Sequence, residues 1–255
     1  MIGRAVAFGF CTARDFVARG LIRARVGPDA MTLAGAVMTA GAGVCLAAGA
    51  DTRFAWSLDP QAARTAYPLL AGVFLVLACA CDMLDGAIAR LGQCGTAFGG
   101  FLDSTVDRFS DFAVWAGIVY YYARPGRADP LMATLGTLAM FHGFAISYAK
   151  ARAETMIPSF NQGYWQRGER LAAVLIATFG YNMPALLWQQ ATLPAFTVLR
   201  RMLYVRDVLG GRPGHGDVRT GALWRKCCLW LWPRMSVPYD VVTGLNIAWL
   251  IFALR

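Results

Sequence analysis

Eight residues carry the chemistry open to this sequence: Asp82, Asp85, Gly86, Ala89, Arg90, Gly99, Asp103 and Asp107. They are spaced as DxxDGxxAR, eight further residues, then GxxxDxxxD. Residues three or four apart share a helix face, so Asp82 pairs with Asp85 and Asp103 with Asp107, and Asp111 continues the second row. The intervening stretch 91–100 holds Gly92, Gly95, Gly99 and Gly100, a turn that lets two helices run antiparallel and present their carboxylates to each other. Four carboxylates in one place call for a cation, and hard oxygen donors without a His or Cys cluster favour Mg²⁺ or Mn²⁺ over zinc. Such ions usually also hold substrate phosphates, and a pair of them stabilises charge on a phosphoryl group in displacement, so phosphoryl transfer is the expected reaction class. Gly86 and Gly99 would let a nucleotide or phosphate approach the backbone, Ala89 keeps the helix contact close, and Arg90 suits bidentate neutralisation of a phosphate. The only histidines, His142 and His215, lie far from the motif, so the base for a nucleophilic hydroxyl must be a carboxylate. Spacing alone leaves an ion-pair cluster or a cation carrier or channel as alternatives.

The elements that hold these groups are apolar. Of 255 residues, 57% are hydrophobic and 15% charged, well away from the roughly 25% charged usage of soluble domains. Windows long enough to cross a hydrocarbon core fall at 30–50, 67–83, 106–122, 130–150, 171–188 and 191–204, which predicts an all-α integral membrane protein with six transmembrane helices. A seventh stretch, 237–254, is expected to be an extra C-terminal hydrophobic helix, either a crossing or a re-entrant hairpin. At the start of the chain, Arg14, Asp15, Arg19, Arg23 and Arg25 interrupt the apolar run that a cleavable signal needs. Phe8, Phe10, Phe16, Val17 and Ile22 alternate with those arginines, which predicts an interfacial helix within 1–27, lying on the lipid bilayer.

The net charge of +9 is almost entirely arginine, with Lys150 and Lys226 the only lysines. These charges flank apolar spans, where headgroups and the positive-inside rule explain them, so nucleic acid is not an expected partner. With the arginine-rich N-terminus in the cytosol, the connections 90–101, 151–170 and 206–225 are cytosolic too, and the acidic motif faces the cytosol of a bacterial-type inner membrane. The opposite connections, 51–66, 123–129 and 189–191, carry fewer basic residues. Cys11, Cys45, Cys79, Cys81, Cys94, Cys227 and Cys228 form no CxxC pair or zinc spacing and read as small, buried, reduced thiols. The membrane domain is expected over 1–209; in 210–255, a turn-rich break at 210–217 precedes a basic, Trp-rich segment with Trp224, Trp230 and Trp232.

The constellation resembles the signature of the CDP-alcohol phosphatidyltransferase family at every defining position, over about residues 4–206. The resemblance implies a six-helix membrane enzyme in which an alcohol attacks the β-phosphorus of a CDP-linked donor such as CDP-diacylglycerol and CMP leaves. By the same resemblance Asp82, Asp85, Asp103 and Asp107 hold two divalent ions and Asp107 is the general base; Asp85, Gly86, Ala89, Arg90 and Gly99 meet the donor; and a homodimer can form in the membrane. Where the family often has PNxxT, this chain has Pro28, Asp29, Ala30, Met31 and Thr32. Thr32 is expected near the cytidine, whereas Asp29 lacks amide donors and serves equally well as a helix N-cap.

The acceptor is read from the other basic helix ends. Lys150, Arg152, Arg167 and Arg170, with Arg200 and Arg201, form an expected cationic pocket suited to an acceptor that already carries a phosphate. The run SYAKARAE (147–154) resembles the acceptor segment of the synthases that join CDP-diacylglycerol to inositol phosphate, which implies that Ser147, Lys150, Arg152, Arg170 and Arg201 bind that phosphorylated polyol. Glycerol 3-phosphate is the alternative acceptor.

Overall fold

The computed structural model describes residues 2–52, 65–157, 160, 162–211, 232 and 236–253. Among these residues every regular element is a helix. In chain order they are α1 (Ile2–Arg23), α2 (Pro28–Gly49), α3 (Tyr67–Leu91), α4 (Ala97–Ala123), α5 (Pro130–Glu154), α6 (Arg167–Gly180), α7 (Met183–Leu209) and α8 (Val237–Phe252). The Trp-rich stretch with Trp224 and Trp230, and most of the turn-rich break before it, lie outside the described residues.

Local chemistry sets the boundaries. Proline at the first or second position opens α2, α3, α5, α7 and α8, where its missing N–H would have no helical partner. Thr96 caps α4 by accepting from the Gly99 N–H at 2.9 Å, and Asp129 caps α5 by accepting from the Met132 N–H at 3.1 Å. The expected Asp29 cap is not formed: Gly27 holds the cap position of α2, and Asp29 sits inside the first turn, where a carboxylate still favours the helix dipole.

The windows expected at 171–188 and 191–204 are divided differently. Helix α6 stops at Gly180, Tyr181 takes a left-handed conformation at φ 53°, and Asn182 caps α7 by accepting from the Ala185 N–H. The connection therefore lies at 181–182, and 189–191 is interior to α7. Hydrophobicity is continuous across this turn, which is why apolarity alone misplaced it. Three helices, α2, α3 and α5, are long and apolar enough to cross a membrane. Helices α4 and α7 have 27 residues each but carry charge near one end.

Helix α2 packs mainly against α3 and α4, α5 against α7 and α4, and α6 against α3, α8 and α7. A core of Leu46, Leu75, Ile118, Tyr121, Leu186 and Leu187 is fully buried among them. Many large apolar side chains, such as Val37, Val44, Phe112, Phe141 and Phe144, instead point outward and are exposed. Helix α1 has Ala18 buried against Ala87 and Ile88 of α3 while Phe16 stands outward, in keeping with a helix lying along the bundle's end. Of the described cysteines only Cys45 is buried; Cys11 and Cys94 are exposed, against the expectation that all would be buried, because each lies where α1 or the α3–α4 turn leaves the core.

The α2–α4 crossing is made backbone to backbone at Gly43 and Gly117. A Cβ on Gly117 would run into the Gly43 carbonyl, and one on Gly43 into the Ala113 carbonyl. Small residues let membrane helices approach this closely. Gly117→Ala is expected to lose about 1–3 kcal/mol by overpacking, read as a lowered thermal midpoint in detergent. Gly20→Ala, whose Cβ meets nothing within 4 Å, should be neutral or slightly stabilising.

Candidate metal and phosphate site

The charged groups of α3 to α7 gather at one end of the bundle. Asp82 and Asp85 close α3, Asp103, Asp107 and Asp111 open α4, Arg167 and Arg170 open α6, and Arg200 and Arg201 stand in the last third of α7. The glycine turn at 92–96 connects the two acidic rows as the spacing predicts. Asp82, Asp85 and Asp103 each bring a carboxylate oxygen within 4.8 Å of the other two. These donors are all hard oxygens, so the set fits a divalent cation of the magnesium or manganese type.

Each carboxylate has its own surroundings. Asp85 is the buried member and accepts from Thr32 Oγ1 at 2.9 Å, which ties the start of α2 to the end of α3. Asp82 is exposed and accepts from Arg167 at 2.7 Å. Asp107, half-buried, stands outside the trio and pairs with the same guanidinium, Arg167 Nη2 to Asp107 Oδ1 at 2.7 Å. Arg167 also lies 4.0 Å from Asp111, whereas Arg170 reaches Asp111 Oδ2 at 3.1 Å and the Trp165 carbonyl at 3.3 Å. Burial works against the charge on Arg167, and its close pairing with Asp82 and Asp107 offsets that cost. One pocket is lined by Thr32, all five aspartates, Arg167 and Arg170.

Of the residues expected to meet an acceptor, the structure brings three together. Ser147 accepts from Arg108, Arg170 crosses to Asp111, and Arg201 donates to the Ile146 carbonyl beside Ser147 and to the Gln162 carbonyl at 2.9 Å. Lys150 instead pairs with Glu154 at 3.7 Å on the exposed face of α5, and Arg152 is exposed; of the five, Arg170 alone lines the pocket. Helical geometry explains Arg152, since five residues past Ser147 the side chain has turned well away from it, whereas Lys150, three residues on, is drawn to Glu154 one turn ahead. On the donor side, Arg90 folds back over Gly86, where a Cβ would lie 3.2 Å from Nη1. Asp29 Oδ1 stands 3.1 Å from where a Gly99 Cβ would be, and Ala89 supports the turn at Gly95. None of these five lines the pocket.

Sequence reasoning gave Arg108 no role and placed Arg167 only in the cationic pocket expected for the acceptor, not on the carboxylates. Arg108, 3.7 Å from Asp107 and bonded to Ser147, follows a motif aspartate directly, so its place in the pattern was visible but its direction was not. Arg167 was visible only as one of a basic cluster.

This arrangement sets the class. The sequence profile of the CDP-alcohol phosphatidyltransferase family matches residues 26–206, from just before α2 to near the end of α7. The chain belongs to that family and is a transferase enzyme of an integral membrane type. Among its relatives, phosphatidylinositol phosphate synthase of Mycobacterium tuberculosis (strain H37Rv) is 36% identical over 194 residues, covering 76% of this chain and 79% of that protein. The crystal structure of the M. tuberculosis synthase with CDP-DAG bound superposes with a TM-score of 0.64 at 29% identity, covering 82% of this chain and 98% of that one. The same synthase in complex with manganese and citrate gives a TM-score of 0.64 at 28% identity, covering 82% and 93%.

Because Arg167 occupies the carboxylates with positive charge, a divalent ion must compete with it. Like-charge repulsion between guanidinium and metal weakens cation binding. In Arg167→Gln, Mn²⁺ is therefore expected to bind more tightly, measured by the electron paramagnetic resonance signal of the free ion during titration. Unchanged or weaker affinity would show that the bridge does not compete.

Proposed function

We propose that this chain transfers the phosphatidyl group of CDP-diacylglycerol to inositol phosphate, releasing CMP. The observation that carries the reading is the single pocket in which the trio Asp82, Asp85 and Asp103 faces Asp107, Arg167 and Arg170. Its support from relatives is the similarity to phosphatidylinositol phosphate synthases, one of them solved with CDP-DAG.

Asp82, Asp85, Asp103 and Asp107 are the residues that would hold two divalent cations, Mg²⁺ or Mn²⁺. Such ions, when bound, neutralise the donor's phosphates and the charge that develops during displacement. Thr32 and Asp85 line the cytidine side, and Gly86, Ala89, Arg90, Asp29 and Gly99 border the donor path. Arg90, outside the pocket, suits a phosphate of the incoming donor. At the other end Arg170, Arg201 and Ser147 receive the acceptor phosphate, with Lys150 and Arg152 at the entrance. The acceptor hydroxyl loses its proton to Asp107 as its oxygen bonds to the β-phosphorus. The bond from that phosphorus to the bridging oxygen breaks, and CMP leaves with the electron pair. Arg167 orients Asp107 for this step.

The charged end then faces the cytosol, α2 to α7 make six crossings, and α1 lies in the interface of a bacterial-type inner membrane. Residues 1–209 form the catalytic unit, and 210–255 are appended to it. Purified protein in nanodiscs with CDP-diacylglycerol and Mg²⁺ tests the reading. CMP release is expected with inositol phosphate; free inositol and serine, which lack the phosphate contact, should be poorer by about tenfold or more, and glycerol 3-phosphate, which keeps it, should be the next best acceptor. Asp107→Asn should reduce release by a factor of roughly 10² or more while the protein stays folded. Equal activity on inositol and inositol phosphate would remove the phosphate-pocket assignment, and no release with any acceptor would remove the function.

A further inference from the structure

Helix α8 lies beyond the region matched to the family, yet it is bonded to α6 and α7 along one stripe. Tyr239 donates its hydroxyl to Glu169 Oε1 at 2.9 Å, and the Thr243 hydroxyl meets the Tyr164 hydroxyl at 2.9 Å. Further along, Gln189 donates to the Asn246 side chain at 3.0 Å, and Asn182 donates to the carbonyls of Leu250 and Ala253 at 2.9 and 2.7 Å. Positions 239, 243, 246, 250 and 253 advance by four, three, four and three, the seam of a packed helix pair. The outward positions Val237, Val241, Leu245 and Phe252 are apolar and exposed. Apart from the exposed Asp240 in the first turn, polar groups face protein and apolar groups face out, the arrangement of a helix docked in lipid.

The seam has a direction that leads to the site. Its far end meets the α6–α7 turn, and its near end meets Glu169, in the first turn of α6 between Arg167 and Arg170. Tyr239 also packs its ring on Tyr164, with centroids 5.2 Å apart, and the adjacent Trp165 carbonyl accepts from Arg170. The first two turns of α8 thus grip both sides of the junction that aims the two arginines at the carboxylates.

We propose that α8 is a strut that positions the acceptor end of the site, with Tyr239 a positioning residue acting through Glu169. Tyr239 touches no reacting group; it fixes the helix start from which Arg167 and Arg170 project. Acceptor binding is therefore sensitive to a bond made outside the family's shared region. The proposal rests on the reading that Arg170 binds the acceptor phosphate, and its test separates the two.

Full-length protein in nanodiscs is compared with Tyr239→Phe, which removes one hydroxyl, and with Trp249→Phe, which removes the bond from the Trp249 indole to the Ala185 carbonyl at the far end of α8. For Tyr239→Phe, amide hydrogen exchange at 166–171 should rise. The acceptor KM should rise roughly three- to tenfold, for one hydrogen bond to a charged group, with kcat and the donor KM unchanged. Glu169→Gln keeps an acceptor for the tyrosine and should stay near the wild-type KM, whereas Glu169→Leu should match Tyr239→Phe. Trp249→Phe should lower thermal stability without moving the acceptor KM. Unchanged exchange at 166–171 in Tyr239→Phe overturns the strut, whatever acceptor the enzyme uses. Raised exchange with an unchanged acceptor KM overturns it as well, leaving α8 a stabilising element only. Absence of CMP release in the wild type would strike at the function instead, and the exchange comparison would then decide the strut alone.

Discussion

The Arg167 guanidinium, bonded at 2.7 Å to Asp82 of α3 and at 2.7 Å to Asp107 of α4, is the interaction on which the arrangement turns. A charge in an apolar bundle is costly unless it is paired and hydrogen-bonded. Five carboxylates on two neighbouring helices repel one another, and a cation on a third helix is what lets them converge. That requirement ties the start of α6 to the end of α3 and the start of α4. It also places Arg170 on Asp111 one turn further along, so the two arginines neutralise the acidic rows in register. The cluster is thus stable in a form that a divalent ion and a phosphate can reorganise. Binding sites made of paired opposite charges are poised in this way, because each ligand displaces one partner and takes its place.

Charge pairing sets the level of the helices but not their spacing. Backbone contact does that. Gly43 and Gly117 bring α2 onto α4 with no side chain between them, and this approach leaves Thr32 within 2.9 Å of Asp85. A hydroxyl donor on the buried carboxylate fixes which oxygen turns toward Asp82 and Asp103. The α2 helix therefore contributes to the carboxylate cluster through geometry established about three turns away, and a residue no larger than alanine at the crossing would be felt there.

Much of this was legible in the sequence, and the part that was not has a physical explanation. The two acidic rows follow directly from helical periodicity, and the glycine turn between them forces the hairpin, so the trio of carboxylates and its hard-cation preference were readable from residue types alone. Arg170 and Arg201 were readable as basic residues at helix ends that face the same way. Lys150 and Arg152 share that description, yet helical rotation carries Arg152 outward and Lys150 pairs with Glu154 on the exposed face, and composition records neither. Asp29 looked like a cap because acceptors before helices usually are; Gly27 took that role two positions earlier, with Pro28 opening the helix. The break at 181–182 was hidden because a left-handed tyrosine followed by asparagine interrupts a helix without interrupting hydrophobicity. Arg108 and Arg167 show the general limit, since what distinguishes them from other arginines is a partner far away in the chain.

The same break explains why the bundle benefits from α8. A helix of 14 residues, as α6 is, reaches about 21 Å at 1.5 Å per residue, less than the roughly 30 Å of a hydrocarbon core, so a crossing by it has to be completed by the turn at 181–182. Irregular backbone at such a turn survives in apolar surroundings only if protein covers it. Helix α8 supplies that cover, and Asn182 returns the favour by donating to the Leu250 and Ala253 carbonyls at the end of α8, groups that would otherwise have no helical partner. Each helix end completes the other. Because α8 is anchored there and runs back alongside α6 to Tyr239, a feature required by the short helix at one end of the bundle becomes a contact with the charged site at the other.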